Sequence, residues 1–493
     1  MLRRTLLALL SMATAFPFWG MPVCGGEPGA IKIGGRRELL VDHLLIDRMD
    51  GVRLVLNRPR DEGAVIRFDQ PWEGLFCGYS TIIKDGERFM AYYRGRPEAG
   101  ADGDPGEVYC LAESSDGVHW SKPQLDLFPL PGHEKTNIIL ANAAPVTHNF
   151  CPMLDTRAGV PAEERFKALG GTMESGLVAW ASADGIHWRK LREEAVLTKA
   201  MVPFPYMFDS QNLAFWSAAE QKYLCYFRVF QDGIRRICRT TSDDFLTWTE
   251  PVLMEYNHCG EPAPIEHLYT NQTHPYFRGP HIYVATAARF MPGRQVLTEE
   301  QAEAIHVNPK YFKDTSDAVL MTTRGGGVYQ RTFLSGFIRP GIGATNWVSR
   351  TNYPALNIVQ TGPTEMSLYV NQDYAQPTAH LRRYSMRLDG LASARAEYAG
   401  GELVSKPIVF AGKQLSINFA TSAPGGIRVE IQTPDGKAIP GFALADCREQ
   451  IGNEVERVVT WKGGSDVSSA AGKAVRLRFV MKDADLYAFQ FQE

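Results

Sequence analysis

The chain has 493 residues, more than one ordinary core accommodates, so two folded units are expected. Hydrophobic residues make up 44% and charged residues 22%, the balance of a soluble globular protein. The formal net charge is −3 with no basic stripe, which argues against nucleic acid and anionic membrane surfaces as partners.

Residues 1–26 read as a secretion signal, so a secreted or periplasmic location is expected. Arg3-Arg4 supplies the positive region, Leu6 to Leu10 opens a short apolar run, and Ala13-Thr14-Ala15 offers a small-residue cleavage site. The run is too short to span a bilayer, and no later segment reads as a membrane span. Met21-Pro22-Val23 before Cys24 is a poor lipobox. None of the eight cysteines lies in a C-x-x-C pair, which argues against a zinc or redox site. Several, such as Cys225, sit inside strand-like runs and read as buried thiols.

Residues 31–60 hold a lead-in and one strand. From Tyr79 a unit begins: Ser80-Thr81-Ile82-Ile83, a turn at Lys84-Asp85-Gly86-Glu87, then Arg88 to Tyr93 and Val108 to Ala112. It ends in Ser114-Ser115-Asp116-Gly117-Val118-His119-Trp120. The same turn returns as Ser182-Ala183-Asp184-Gly185-Ile186-His187-Trp188, and more loosely as Ser242-Asp243-Asp244-Phe245-Leu246-Thr247-Trp248, with the tryptophans 68 and 60 residues apart. Asp-Gly favours a tight turn, because Gly tolerates positive φ and Asp bonds its own backbone. A motif at this spacing marks a repeat array. Second and third units run from Asn149 and from Asp209. A fourth runs from Thr273 through Arg324-Gly325-Gly326-Gly327, and carries an insertion at 291–314 with a short helix near Glu299 to Ile305. A fifth covers Ile358 to Leu388.

Four-stranded units cannot bury both faces alone, so five of them predict a five-bladed β-propeller over residues 27–398. From 399 to 493 the strands alternate strongly and are well separated, with Pro434-Asp435-Gly436-Lys437 as a turn. This predicts a C-terminal β-sandwich. The fold class expected is all-β.

A secreted five-bladed propeller followed by a β-sandwich resembles the architecture of glycoside hydrolase family 32, and the blade turn is similar to those of families 43 and 130. The closer resemblance is to secreted, family-32-like proteins of planctomycete-type bacteria. It rests on Asn346 to Pro354, His380 to Tyr384, Gly441 to Cys447 and Asp483 to Tyr487. The resemblance implies carbohydrate as substrate or ligand. The Trp-Met-Asn-Asp-Pro-Asn-Gly, Arg-Asp-Pro and Glu-Cys boxes of family 32 are absent, so its catalytic residues do not transfer.

Glycoside hydrolysis needs two carboxyl groups about the scissile bond, and in a propeller these belong where the innermost strands begin. That rule selects Asp209, ahead of Ser210-Gln211-Asn212, as the leading catalytic candidate, with Glu73, Glu266 and Glu365 as partners. Trp72, Asn149, Asn212, Arg228, Tyr269, Asn271 and His274 are the candidate substrate-binding groups; an arginine such as Arg228 would keep a neighbouring acid ionised. No cofactor and no metal ligands are assigned, although a propeller can hold a calcium ion on its axis. The pattern fits a glycosidase, and a non-catalytic carbohydrate-binding propeller is the alternative. His119 and His187 occupy equivalent places in successive units and read as scaffold.

Overall fold

The computed structural model describes residues 29–493. The segment expected to be a secretion signal, residues 1–26 with Cys24, lies outside the described residues. Five sheets surround one axis, and a sixth, ten-stranded sheet carries the C-terminal unit. Blade 1 is Gly78–Asp85, Arg88–Gly95, Val108–Ser114 and Ile138–Leu140. Blade 2 is Cys151–Leu154, Phe166–Thr172, Gly176–Ser182 and Arg189–Lys190, and blade 3 is Leu213–Ser217, Lys222–Gln231, Ile234–Ser242 and Val252–Leu253. Blade 4 is built on Thr273–Tyr276, Gly279–Met291, Thr315–Thr323 and Val328–Gln330. Blade 5 differs from the expected unit. Its innermost strands are Tyr353–Pro354 and Val359–Gln360, so Glu365–Gln372 is its second strand. Its outermost strand, Arg60–Arg67, comes from the start of the chain and pairs with His380–Arg387, which closes the ring.

Middle strands of the blades are apolar without visible alternation, because both faces are buried. Period two survives in which core each side chain joins. In Arg88–Gly95, Phe89, Ala91 and Tyr93 pack with Tyr369 and Leu381 of blade 5. Met90 and Tyr92 pack with Phe150, Phe166 and Trp180 of blade 2.

The repeated turn is a clamp on the face opposite the strand starts. In blade 2, Ser182 Oγ accepts from the Gly185 amide at 2.9 Å, and Asp184 Oδ1 accepts from the Ile186 and His187 amides at 2.8 and 2.9 Å. Trp188 then donates back to the Gly185 carbonyl at 3.1 Å and packs edge-on against Phe150. Blade 1 repeats these bonds at Ser114, Asp116 and Trp120, and blade 3 at Ser242, Asp244 and Trp248. The Tyr92 hydroxyl donates to the Gly185 carbonyl at 3.0 Å, so the turn also joins blade 1 to blade 2. Tyr369 of blade 5 does the same to Gly117 of blade 1.

The C-terminal unit takes in more chain than expected. Residues 31–56, counted with the propeller in the sequence reading, pair into it, and Val52–Leu56 lies beside Ala392–Ala396. Two strands of 19 residues, Gln414–Gln432 and Ala474–Gln492, run through the sheet. Phe479 and Phe489, ten positions apart on one strand, bring their rings to 6.0 Å. A straight strand would hold them about 33 Å apart, so the sheet folds back on itself into a sandwich. Its core includes Leu415, Ile427, Phe479 and Phe491. Cys77, Cys110, Cys151, Cys225, Cys238 and Cys447 are buried thiols outside any disulfide.

Candidate functional site

Each inner strand is entered through a non-glycine residue with positive φ: Tyr79 (52°), Asn149 (51°), Phe208 (67°), Gln272 (51°) and Asn352 (60°). Side-chain-bearing residues rarely adopt this conformation, and strain of this kind collects at functional sites. Here it turns the five lead-in segments inward at one end of the axis. Just inside, the axis is blocked by a polar plug. Gln211 Nε2 donates to Thr81 Oγ1 at 2.9 Å, and Gln272 Nε2 donates to Gln211 Oε1 at 2.6 Å and to the Pro354 carbonyl at 2.7 Å. The funnel above the plug is therefore blind. Below it, a separate and largely apolar cavity of about 640 Å³ opens on the far face, among Ile83, Leu154, Phe215, Phe277 and Ile358.

The closed-in part of the funnel measures about 80 Å³ and is lined by Phe76, Tyr79, Tyr269, Tyr311 and Tyr374 together with Arg94, Arg96, Arg350, Asp102 and Asp209. Asp209 arrives on the lead-in to blade 3 and pairs with Arg228 from the next strand of that blade. Asp102 arrives on the blade 1 loop between Gly95 and Val108. With His148 these groups place a carboxylate oxygen, a ring nitrogen and a second carboxylate oxygen within 4.8 Å of one another. Both carboxyl side chains are about half exposed, 51% for Asp102 and 45% for Asp209, while His148 is buried. Glu107 holds His148 from behind, with its oxygens 3.0 and 2.9 Å from Nδ1, and Arg94 and Arg96 neutralise Glu107 at 3.3 and 3.1 Å.

The two aspartates titrate in opposite directions. Burial and the neighbouring Asp209 charge push Asp102 above the usual carboxylate range. Burial also raises Asp209, but the Arg228 guanidinium and a hydrogen bond from Asp102 outweigh it and hold Asp209 below that range. Two carboxyl groups whose pKa values are pushed apart are the arrangement that acid–base chemistry uses.

Asp102, His148 and Asp209 are the only group among the described residues with donors close enough to share a cation, and His148 Nε2, 3.8 Å from Asp102 Oδ1, forms no hydrogen bond. The surrounding charge opposes it. Arg94, Arg96 and Arg350 line the funnel, and Arg228 and Arg235 stack on the ring of Tyr269. A proton shared by the two carboxyl groups satisfies the cluster without adding two positive charges to that wall. The axis itself presents neutral amides, Gln211 and Gln272, where an axial calcium would sit.

The other sequence candidates separate clearly. Arg228 and Tyr269 are in the funnel wall, with the guanidinium 4.4 Å from the centre of the ring. Asn149 and Asn212 stand beside it and both donate to the Phe208 carbonyl, at 3.5 and 3.1 Å, leaving each side-chain oxygen without a protein partner. Glu73 does not face the funnel. It is fully buried, accepting from Tyr93 at 2.6 Å, Lys122 at 2.6 Å and the Gln70 amide at 3.0 Å. Trp72 is buried beside it and donates to Asn137 at 2.7 Å, so it offers no ring to a sugar. Glu266 is held away from the cavity by Arg289 at 2.9 Å and Arg331 at 2.8 Å. Glu365 begins a second strand and therefore lies on the opposite face, paired with Arg383. Asn271 closes a local turn, accepting from the Thr273 amide at 3.0 Å and hydroxyl at 2.8 Å. His274 is a buried strut between blades 4 and 5, bonded to the Gln272 carbonyl at 2.8 Å and the Ile358 amide at 3.1 Å.

Among solved structures the chain is similar to carbohydrate-active propellers. The catalytic domain of a family-62 α-L-arabinofuranosidase from Coprinopsis cinerea shares 11% identity over 67% of this chain and 97% of that one, with a TM-score of 0.40. An N-acetylgalactosamine deacetylase from F. plautii, in complex with blood group B trisaccharide, shares 14% over 69% and 97%, with a TM-score of 0.40. A thermostable family-43 glycoside hydrolase shares 10% over 66% and 91%, with a TM-score of 0.34. No protein-family model and no curated protein matches the chain. Likenesses this distant leave the chemistry to the funnel itself.

Asp102, His148, Glu107 and Arg350 were not among the sequence candidates. They sit on loops between strands, where no periodicity marks them. The one available signal was charge: Arg94-Gly95-Arg96 ends a buried strand and requires an acid opposite, which Glu107 supplies.

Proposed function

We propose that this chain is an exported glycosidase that cleaves a terminal unit from a saccharide. The observation that carries the reading is the Asp102–Asp209 pair, with oxygens within 4.8 Å of each other and pKa values displaced in opposite directions, in a blind, tyrosine-lined funnel. A blind funnel admits a chain end and not a chain passing through, and tyrosine faces suit sugar rings. Retaining glycosidases hold their two carboxyl groups about 5–5.5 Å apart and inverting ones about 6.5–9.5 Å; Asp102 and Asp209 carry oxygens within 4.8 Å of each other, nearer the retaining arrangement. In this reading the Asp209 carboxylate attacks the anomeric carbon as the glycosidic C–O bond breaks. The Asp102 proton passes to the leaving oxygen. A water then attacks the glycosyl ester, gives its proton to Asp102 and releases Asp209.

The test is a glycan panel scored for released sugar and for retention on immobilised protein. Release by the wild-type chain that Asp209→Asn abolishes supports the reading. Unchanged release in Asp209→Asn overturns it, and retention with no release on any glycan makes the propeller a binding module.

A further inference from the structure

The segment Asn346 to Pro354 builds one wall of the funnel, and its backbone is unusual. Arg350 and Asn352 both have φ of +60°. Residues with a side chain are disfavoured at this φ, so the surroundings must impose the conformation. They do so with hydrogen bonds. The Arg350 amide donates to Ser316 Oγ at 3.2 Å, Ser349 Oγ to Asp314 at 3.0 Å, and Asn352 Nδ2 to the Ser316 and Asn346 carbonyls at 3.0 Å each.

This scaffold presents one guanidinium. Arg350 lies 5.6 Å from the ring centre of Tyr269 and 5.1 Å from that of Tyr311, and lines the cavity. Arg235 lies 4.8 Å from the same Tyr269 ring. The other arginines of the funnel are matched: Arg94 and Arg96 by Glu107, and Arg228 by Asp209. Arg350 and Arg235 form no ion pair with any carboxylate among the described residues. Contact with aromatic faces leaves the guanidinium edges of Arg350 open, and Arg235 Nη1 reaches only His267 Nδ1, at 3.4 Å. Such contacts do not cancel charge, and half-buried like charges side by side are unfavourable without a counter-ion. Burial and the neighbouring Arg228 and Arg350 charges accordingly push Arg235 below the ordinary arginine range, despite Tyr269.

We infer that the funnel recognises a saccharide carrying an anionic substituent, a carboxylate or a sulfate ester, and that Arg350, assisted by Arg235, binds that group next to the Asp102–Asp209 pair. A planar guanidinium held by its backbone suits two-point contact with an oxyanion. The inference rests on the proposed carbohydrate function and deepens it.

The test uses the full chain carrying Asp102→Asn, which retains the Asp209–Arg228 pair while slowing cleavage. Calorimetric titration compares oligogalacturonates with their carboxyl-reduced forms, and sulfated with desulfated galactan oligosaccharides. In at least one arm the charged member should bind about tenfold tighter, a preference that falls as salt rises from about 50 to 500 mM. Adding Arg350→Gln should remove it at an unchanged melting temperature, and the arm that responds identifies carboxylate or sulfate. Should Arg350→Gln fail to fold, Arg235→Gln should weaken the same preference. No preference in either arm, or a preference that survives Arg350→Gln with Arg235→Gln, overturns the inference. Arginine-dependent binding without cleavage by the wild-type chain would remove the glycosidase reading alone. Asp209-dependent cleavage confined to neutral glycans would remove this inference alone.

Discussion

Asp102 and Asp209 come from different blades, yet each carries an oxygen within 4.8 Å of the other and of His148. Their pKa displacements predict the pH profile. In the proposed mechanism Asp209, held low, must be ionised, so activity is lost only as pH falls through a value below the usual carboxylate range. Asp102, pushed high, must be protonated, so activity is lost as pH rises through a value above that range. A bell with an acidic optimum is expected in kcat/KM. Arg228→Gln withdraws the charge that holds Asp209 down, so the acidic limb should move to higher pH. Asp102→Asn should cost about a hundred- to ten-thousandfold in kcat. An acidic limb that stays in place in Arg228→Gln would separate Asp209 from the profile.

Glu73 tests whether burial or chemistry explains a buried acid. Its carboxylate is saturated by Tyr93, Lys122, Asn137 and the Gln70 amide. Glu73→Gln should therefore destabilise the chain by about 3 kcal/mol in urea denaturation, because Lys122 loses a buried partner. Turnover of the folded fraction should stay within about twofold. A collapse of turnover at unchanged stability would return Glu73 to the mechanism.

The difference between Glu73 and Asp209 shows what was legible. The register of blades 1 to 3 was readable because their turns need the same short-range bonds, so Ser, Asp and Trp return at fixed spacing within each turn, whereas blade 5 carries no such turn and its innermost strands were missed. The rule that acids cluster where inner strands begin led to Asp209, which the structure places in the funnel lining, paired with Arg228 from the adjacent strand. The same rule misplaced Glu365, because it begins a second strand, which runs the other way and starts on the opposite face. Glu266 and Glu73 failed for another reason: local sequence does not say which arginine or lysine, tens of residues away, will claim a carboxylate. Asp102, His148 and Arg350 depend on loop geometry and on contacts between blades, neither of which has a period. The ends of the C-terminal unit were blurred likewise, since residues 31–56 find their partners more than 300 positions later.

Gly185 and Gly233 separate the clamp from simple backbone strain. Both have φ of +77°. A methyl group at Gly233 meets nothing within 4 Å, whereas at Gly185 it collides with the Tyr92 hydroxyl, which bonds the Gly185 carbonyl. Gly233→Ala should cost about 1 kcal/mol, the conformational penalty alone. Gly185→Ala should cost about 1 kcal/mol more, since the clash also displaces a buried hydrogen bond between blades. Denaturant midpoints of the two variants decide this, and equal losses would show that the turn does not tie blade 1 to blade 2.

His274 gives the propeller a pH-dependent stability of its own. Nδ1 donates to the Gln272 carbonyl and Nε2 accepts from the Ile358 amide, and the second of these bonds requires the neutral ring. Burial pushes its pKa down to about 4, whereas in the unfolded chain it titrates near the ordinary histidine value of 6.5. Between these values the unfolded chain binds a proton that the folded chain refuses. Stability therefore falls as pH drops through that window, by up to about 3 kcal/mol from this group. His274→Gln cannot titrate. It should be less stable than the wild type at pH 7, by about 1–2 kcal/mol for imperfect replacement of two hydrogen bonds. Its stability should also fall more gently toward acid, so the two curves converge. Urea denaturation at several pH values across the window measures both slopes. Parallel curves would mean that His274 is not what makes the axis between blades 4 and 5 sensitive to acid.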